Sequence, residues 1–461
     1  VLNNNASVTE IAFREYIGKF NKRMEKYIPG EPWSPADEAL YKPENLFEVP
    51  GKEADEMRFR AIKYAFSRHY EKNPFYRNFC DENGVSPQDI KGIEDLAKIP
   101  LIPDKFFKDY PSGNEFAAWL SGLVTGKTPD ISIGKKNPTY DEVINAFNSA
   151  GMEIAYSSGT SGRHTFIPRD RKTFYASEYA LAKTVITMIY PFWQYDMDGY
   201  LMMPNPHKTN VYAGKVCSMY FDAIENVEVA IDRDIPADMI KEAMGTGIKS
   251  SMLKFALKRG NKKMVNRMIK WLREKEKEGR KISMIGLPFI LHFVMKELEE
   301  RGETFDFGEN GAVATGGGWK IYENERVSVE KFRKRVNEIL GIPEENCLDV
   351  YGMVEGNGWM VQCPEGHYLH VPHSYFHPLI LNDEYEVVEY GEWGRFAFLD
   401  PLAESYPGFI ISGDRVRMLE HCPVCDRPGP VLEPEIKRAH GEEMRGCAEE
   451  MRRVLSMDLG G

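Results

Sequence analysis

Apolar residues recur at helical spacing through the first 110 or so positions, then change texture from about Asn148 onward. In "EADEMRFRAIKYAFSRHYEKN" they fall three and four apart up to Pro74, the pattern of an amphipathic helix that proline ends. "AKIPLIPDKFFKDYP" is bounded by prolines and reads as an extended crossing segment. Beyond it come short solid apolar runs of strand length: "GYLMMP", "VEVAID", "ISMIGLP", "GAVATGGGW" and "CLDVYGMVE". Between them lie amphipathic stretches, "FILHFVMKELEERG" and "SVEKFRKRVNEILG", the second closed by Gly341. Strand, loop and helix in alternation predict an α/β protein with much parallel sheet, its ligand loops at the carboxyl ends of strands. After Asp383 the pattern is β-rich ("YEVVEYGEWGRFAFLD", "GFIISGDRVRMLE"), and from about Glu433 a charged tail ends in the helical "GEEMRGCAEEMRRVLSM". The basic run "KRGNKKMVNRMIKWLREKEKEGRK" reads as a solvated helix face.

Composition narrows the function classes. A net charge of −11 argues against a general nucleic-acid or anionic-membrane binder, which would carry a basic footprint. No apolar run approaches the ~20 residues that cross a bilayer, so no membrane insertion is expected. The polar start, "VLNNNASVTEIAFREYIGKF", does not read as a secretory signal, and its lack of Met points to missing or trimmed first residues. Seven cysteines thinly spread over 461 residues do not suggest a disulfide framework, which predicts reduced thiols and a cytoplasmic protein.

The chemistry starts at "IAYSSGTSGRHTFIPRD", where Ser157, Ser158, Gly159, Thr160, Ser161 and Gly162 follow a strand-like run. Glycines let a backbone approach phosphate, and hydroxyls with amide N–H groups donate to its oxygens. The loop lacks the G-K-[ST] ending of a Walker A motif, and alone it is equally a surface connection. Three further segments agree with it in order: "ATGGGW" with Gly316, Gly317 and Gly318, "DVYGMVEGN" (Asp349–Asn357), and "ISGDR" (Ile411–Arg415). Together the four resemble the motifs of the adenylate-forming superfamily of acyl-CoA synthetases, adenylation domains and luciferases, over about residues 150–430. That resemblance implies ATP and Mg²⁺ as cofactors. It places Tyr351 and Gly352 at adenine, Glu355 on Mg²⁺, Asp414 on the ribose hydroxyls and Arg427 facing ribose or phosphate. His207, in "MPNPHKTN", falls where the superfamily keeps a histidine near the acyl carboxylate; a satisfied loop histidine is the equal alternative.

Within the superfamily, "SSGTSGRHTFIPRD", "IPLIPDKFFK" and "LDPLAESYPGFIISGD" look like the acyl-protein synthetases of bacterial fatty-acid reductase complexes. So does "RGCAEE", which makes Cys447 the acyl acceptor by resemblance. Read by itself, a cysteine in a C-terminal helix is a small apolar filler; Arg445 favours its thiolate and four flanking Glu residues oppose it. Only 47 residues follow Asp414, so the superfamily's lid domain and its lysine are expected to be absent, with Arg163, Lys320 or Arg427 as candidate replacements. The implied fold is an α/β body of adenylate-forming type. Residues 1–110 form a helical segment packing on the core and 111–382 an α/β nucleotide-binding core. A β-rich subdomain spans 383–432, and a short tail, 433–461, carries Cys447.

A second constellation joins "QCPEGHYLH" and "EHCPVCDR". Cys363, His370, Cys422 and Cys425 supply the four sulfur and nitrogen ligands that structural zinc requires, and the phenylacetate-CoA ligase branch has members with a similar arrangement. Reduced cysteines beside the nucleotide loop are the alternative. Of His373 and His377, at least one reads as a core or hydrogen-bonding histidine. "TMIYPFWQYDMDGYLMMP" lines either an apolar acyl pocket or the core.

The expected function is ATP-dependent activation of a carboxylic, fatty-type acid to acyl-adenylate, with transfer to Cys447 and then to an acyl reductase partner. An AMP-forming acyl-CoA ligase using CoA is the first alternative. A non-catalytic, zinc-braced nucleotide scaffold is the second.

Overall fold

The computed structural model describes residues 8–157, 163–193, 195–232 and 248–438. Its strands in chain order are β1 (Ile102–Pro103), β2 (Met152–Tyr156), β3 (Phe166–Asp170), β4 (Asp198–Pro204), β5 (Asn226–Ile231), β6 (Ile282–Gly286), β7 (Gly311–Gly316) and β8 (Cys347–Tyr351). There follow β9 (Met360–Gln362), β10 (Leu369–His370), β11 (His377–Leu381), β12 (Trp393–Leu399), β13 (Phe409–Leu419), β14 (Val431–Leu432) and β15 (Lys437–Arg438). The α/β class expected from the pattern is the one observed.

Five strands, in the order β5-β4-β6-β7-β8, run parallel. Each parallel step needs a crossover, and the amphipathic stretches supply them. Pro288–Arg301 opens with Pro at its first turn and closes on Gly302 at φ 64°. Val329–Leu340 is capped by the Ser328 hydroxyl, which accepts from the Lys331 amide, and ends at Gly341 with φ 67°. Phe332, Val336 and Ile339–Leu340 face the sheet at helical spacing. The long helix Ile248–Glu278 buries Met264, Met268 and Leu272 and leaves Lys262, Lys263 and Lys270 exposed.

Past β8 the sheet turns antiparallel, through β9, β10 and β14 to β13, β12 and β11. The long strand β13 also receives β1 in parallel, with Ile102 opposite Ile410, and β15 antiparallel, with Asp414 opposite Arg438. The proline-bounded crossing segment thus becomes an edge strand beside the S-G-D stretch of β13. Pro74 stops one helix at Lys72 and opens another, Pro74–Glu82, because proline without an N–H suits a first turn and Asn73 caps the Tyr76 amide. The Met- and aromatic-rich stretch is core: Met188, Trp193, Met197, Tyr200 and Met202 are buried, each such side chain contributing roughly 1.5–3 kcal/mol. No helix among the described residues is long and apolar enough to cross a membrane.

Candidate active site

The carboxyl ends of β7 and β8 are neighbours, which brings two of the four motifs to one edge of the sheet. Gly316 presses on β8 so closely that a Cβ would sit 2.7 Å from the Val350 carbonyl oxygen. Gly317 and Gly318 then turn with φ 77° and 72°, a conformation β-carbons resist. Thr315 Oγ1 donates to Asp349 Oδ1 at 2.9 Å, tying the strand ends together, and burial pushes the Asp349 carboxyl up to about 6. At Gly352, next to Tyr351, a Cβ would lie 2.3 Å from Trp359.

Tyr351 donates its hydroxyl to Asp414 Oδ2 at 2.8 Å, joining the third motif to the fourth. Burial, and then the Asp414 charge, push the Tyr351 phenol far up, so it stays a donor. The arginine that meets this pair is Arg438, whose Nη1 lies 2.8 Å from Asp414 Oδ1 across the β13–β15 register. Arg427, the arginine expected there, points elsewhere: its Nη1 bonds Glu365 Oε2 at 2.7 Å. Spacing in the sequence does not distinguish the two, because Arg427 lies in the loop of the β13–β14 hairpin, which turns it toward the cysteines.

Glu355 is buried on the loop after β8. Burial pushes its carboxyl up; the Lys108 ammonium pulls it down and Asp104 pushes it up, with the Thr165 hydroxyl also lowering it. The main chain around Glu355 hangs on a residue that the motifs did not flag, Arg169 of β3, which is fully buried. Its Nε donates to Asn357 Oδ1 at 2.9 Å, and its Nη2 donates to the carbonyls of Val354 (2.5 Å) and Gly356 (3.2 Å) and to the Tyr406 hydroxyl (3.1 Å). The guanidinium carbon sits 4.4 Å from the Tyr212 ring centroid and 5.2 Å from that of Tyr406. Tyr406 donates onward to the Glu355 carbonyl at 2.8 Å, and Asp400 accepts from the Asn357 amide at 2.5 Å. An arginine inside the apolar run "TFIPRD" was the available signal, since a charge on a buried strand must find partners.

Strands β2 and β3 form the hairpin that carries the hydroxyl–glycine loop. Ser157 closes its base, accepting from the Thr165 amide at 2.9 Å and from the His164 ring at 2.7 Å through its carbonyl. Ser158, Gly159, Thr160, Ser161 and Gly162 lie outside the described residues, as does Cys447. Arg163 donates to the Lys108 carbonyl at 3.1 Å and pairs with Asp109 at 3.2 Å. His207 is exposed on the loop after β4, its ring 5.3 Å from Phe221. His373 is a core histidine whose Nε2 bonds the Val49 carbonyl at 2.9 Å, and burial holds His377 down near 3.

The second constellation does assemble. One ligand atom each from Cys363, His370, Cys422 and Cys425 lies within 4.8 Å of all the others. Cys363 Sγ is 4.0 Å from Cys422 Sγ, and Cys425 Sγ is 3.3 Å from His370 Nε2. A tetrahedral zinc with Zn–S near ~2.3 Å has edges of about 3.8 Å, so the residues fit a structural ion.

Comparison with known proteins finds likenesses in sequence and in fold. The acyl-protein synthetase (LuxE) family profile matches residues 250–456. The chain is 25% identical over 406 residues to a long-chain-fatty-acid–luciferin-component ligase of Vibrio harveyi, across 88% of this chain and 90% of that protein. A phenylacetate-coenzyme A ligase of Thermus thermophilus is 36% identical over 75 residues, 16% of this chain and 17% of its own. The solved structure of a 2-hydroxyisobutyryl-CoA ligase in an open conformation superposes with a TM-score of 0.58 at 15% identity, covering 92% of this chain and 76% of that one, a likeness of fold. The chain is therefore similar to the acyl-protein synthetase family over residues 250–456, to a fatty-acid–luciferin-component ligase over most of its length, and in fold to a CoA ligase.

Proposed function

We propose that the protein activates a carboxylic acid of fatty type as its acyl-adenylate and transfers the acyl group to a thiol, its own Cys447, the thioester forming as the acyl–AMP bond breaks and AMP and the thiol proton leave. The observation that carries the activation step is the convergence at one sheet edge of Gly316–Gly318, the Tyr351–Asp414–Arg438 chain and Glu355. In that step a carboxylate oxygen bonds to the α-phosphorus of ATP while the bond from that phosphorus to pyrophosphate breaks, its electron pair leaving with pyrophosphate. No proton need move, so orientation and neutralisation of charge dominate. Asp414, already an acceptor from Tyr351 and Arg438, would accept from ribose hydroxyls, and the glycine turn would lie against adenine. Glu355 would hold Mg²⁺, which when bound neutralises the phosphates and relieves the cost of a buried carboxylate. Cys363, His370, Cys422 and Cys425 would hold zinc and brace the turn that carries Arg427, away from the chemistry.

Support for the acid class comes from the fatty-acid ligase relative, and support for an acyl reductase as the partner from the resemblance to synthetases of reductase complexes. The test is intact-protein mass after incubation with ATP, Mg²⁺ and a panel of short- to long-chain acids. We expect a hydroxylamine-labile acyl adduct that Cys447→Ser abolishes. Acyl-CoA formed by that variant would instead support the CoA-ligase reading, which the phenylacetate-CoA ligase relative keeps in view. A protein that shows neither adduct nor acid-dependent pyrophosphate exchange is the nucleotide-binding scaffold.

A further inference from the structure

The step proposed above places growing negative charge beside Glu355, and a cation must meet it. Of the cations read from the sequence, Arg163 and Arg427 do not do so among the described contacts, and the Lys320 side chain lies outside the described residues. Arg163 is exposed and held by Asp109, and Arg427 is paired with Glu365. Arg438, which only the structure reveals, is committed to Asp414 at 2.8 Å, and its charge acts on Asp414 and Tyr351 ahead of Glu355. Lys108 has a different setting. It comes from the segment after β1, far from the four motifs in sequence, and the β1–β13 pairing delivers it to them. The Asp104 amide donates to the Ile411 carbonyl at 2.9 Å, which pins the segment against the S-G-D stretch of β13. So close is the fit that a Cβ on Gly413 would stand 2.8 Å from Asp104 Oδ2. That same oxygen accepts from Lys108 Nζ at 2.5 Å. The lysine side chain is only 24% exposed, and Arg163 clasps its carbonyl from the base of the hydroxyl–glycine loop. Lys108 is also the leading favourable charge on the buried Glu355 carboxyl. An ammonium held on Asp104 between Arg163 and the S-G-D stretch of β13, whose charge also acts on the buried Glu355 carboxyl, has one evident use.

We propose that Lys108 is the catalytic cation of the adenylation step, its Nζ donating to a phosphate oxygen of ATP as pyrophosphate leaves, and that Asp104 is its positioning residue. The proposal rests on the acid-activation reading. It accounts for why the N-terminal segment enters the sheet at β1 instead of packing only on its outside.

The experiment compares the full chain with Lys108→Met, Lys108→Arg and Asp104→Asn in two assays. One is acid-dependent ATP–pyrophosphate exchange. The other is consumption of chemically supplied dodecanoyl-adenylate, which bypasses adenylation. We expect Lys108→Met to lower kcat for exchange by about 100-fold or more, the usual cost of losing one donor to developing charge. The KM for the acid should hold, Lys108→Arg should recover part of the rate, and consumption of supplied adenylate should stay within about twofold, since charge on departing pyrophosphate is then irrelevant. Exchange at the parental rate in Lys108→Met overturns the proposal and leaves acid activation standing. Equal loss in both assays, without recovery by Arg, also overturns it and makes Lys108 structural. A parent chain that exchanges pyrophosphate with no acid sinks both readings together.

Discussion

Two polar clusters stand behind the candidate site, and they are built on opposite principles. The knot around Arg169 closes on itself: Asn357, Asp400, Tyr406 and the carbonyls of Val354 and Gly356 meet nearly every donor, and only Nη1 of Arg169 lacks an acceptor. The Cys363–His370–Cys422–Cys425 cluster does not close. Its four donors face one another at ligand spacing, and His370 Nδ1 has no hydrogen-bond partner. A buried network that satisfies itself needs nothing more to be rigid, whereas four convergent soft donors gain their stability from an ion. The first holds the loop bearing Glu355, and the second holds the turn bearing Arg427.

Removing the centre of the closed cluster should do the most damage. Arg169→Met leaves buried partners unpaired and is expected to cost about 3–5 kcal/mol, read by denaturant titration, with loss of pyrophosphate exchange. Arg169→Lys keeps the charge but not the fork and should recover little of either. Parental stability in Arg169→Met would show that the knot is decoration. For the open cluster, the protein should purify with one equivalent of zinc by elemental mass spectrometry. Chelation, or Cys425→Ser, should then lower stability by about 4 kcal/mol where free metal had stood about a thousandfold above Kd. An unmoved melting temperature on chelation would return these residues to a set of reduced cysteines.

The smallest effect separates the clusters by pH. Burial raises the Asp400 carboxyl from 3.8 to about 6, opposed by hydrogen bonds from Asn357 and Leu402 and by the Arg169 charge. The folded state therefore holds a proton that the unfolded chain has released between those values. Asp400 makes the fold more stable below pH 3.8, and this advantage is lost as pH rises through about 6. The loss amounts to at most about 3 kcal/mol. Asp400→Asn should flatten that part of the stability profile relative to the parent. Parallel profiles would mean that the carboxyl is already ionised in the folded protein.

Much of this molecule was legible in the chain itself. Alternation of strand-length apolar runs with amphipathic helices is a local property, as are Gly302 and Gly341 at helix ends, so the α/β class and most parallel strands could be read directly. The same holds for four motifs in order and for a C-x-x-C with a distant Cys and His, because each chemistry restricts residue type at short range. What only tertiary structure decided was which charges meet. Arg427 and Arg438 are 11 residues apart on the same side of the S-G-D motif, and only strand register puts the second on Asp414 and turns the first to Glu365. Arg169 and Lys108 lie in stretches that carry the family resemblance, but nothing local marks either for a role; one bonds the main chain around Glu355 and the other's charge acts on its carboxyl, through contacts 185 to 188 residues distant for the arginine and a β1–β13 pairing for the lysine. Local sequence encodes backbone preference and the chemistry a loop can offer. The partner of a buried charge is set by which surfaces pack, and that is a property of the whole chain.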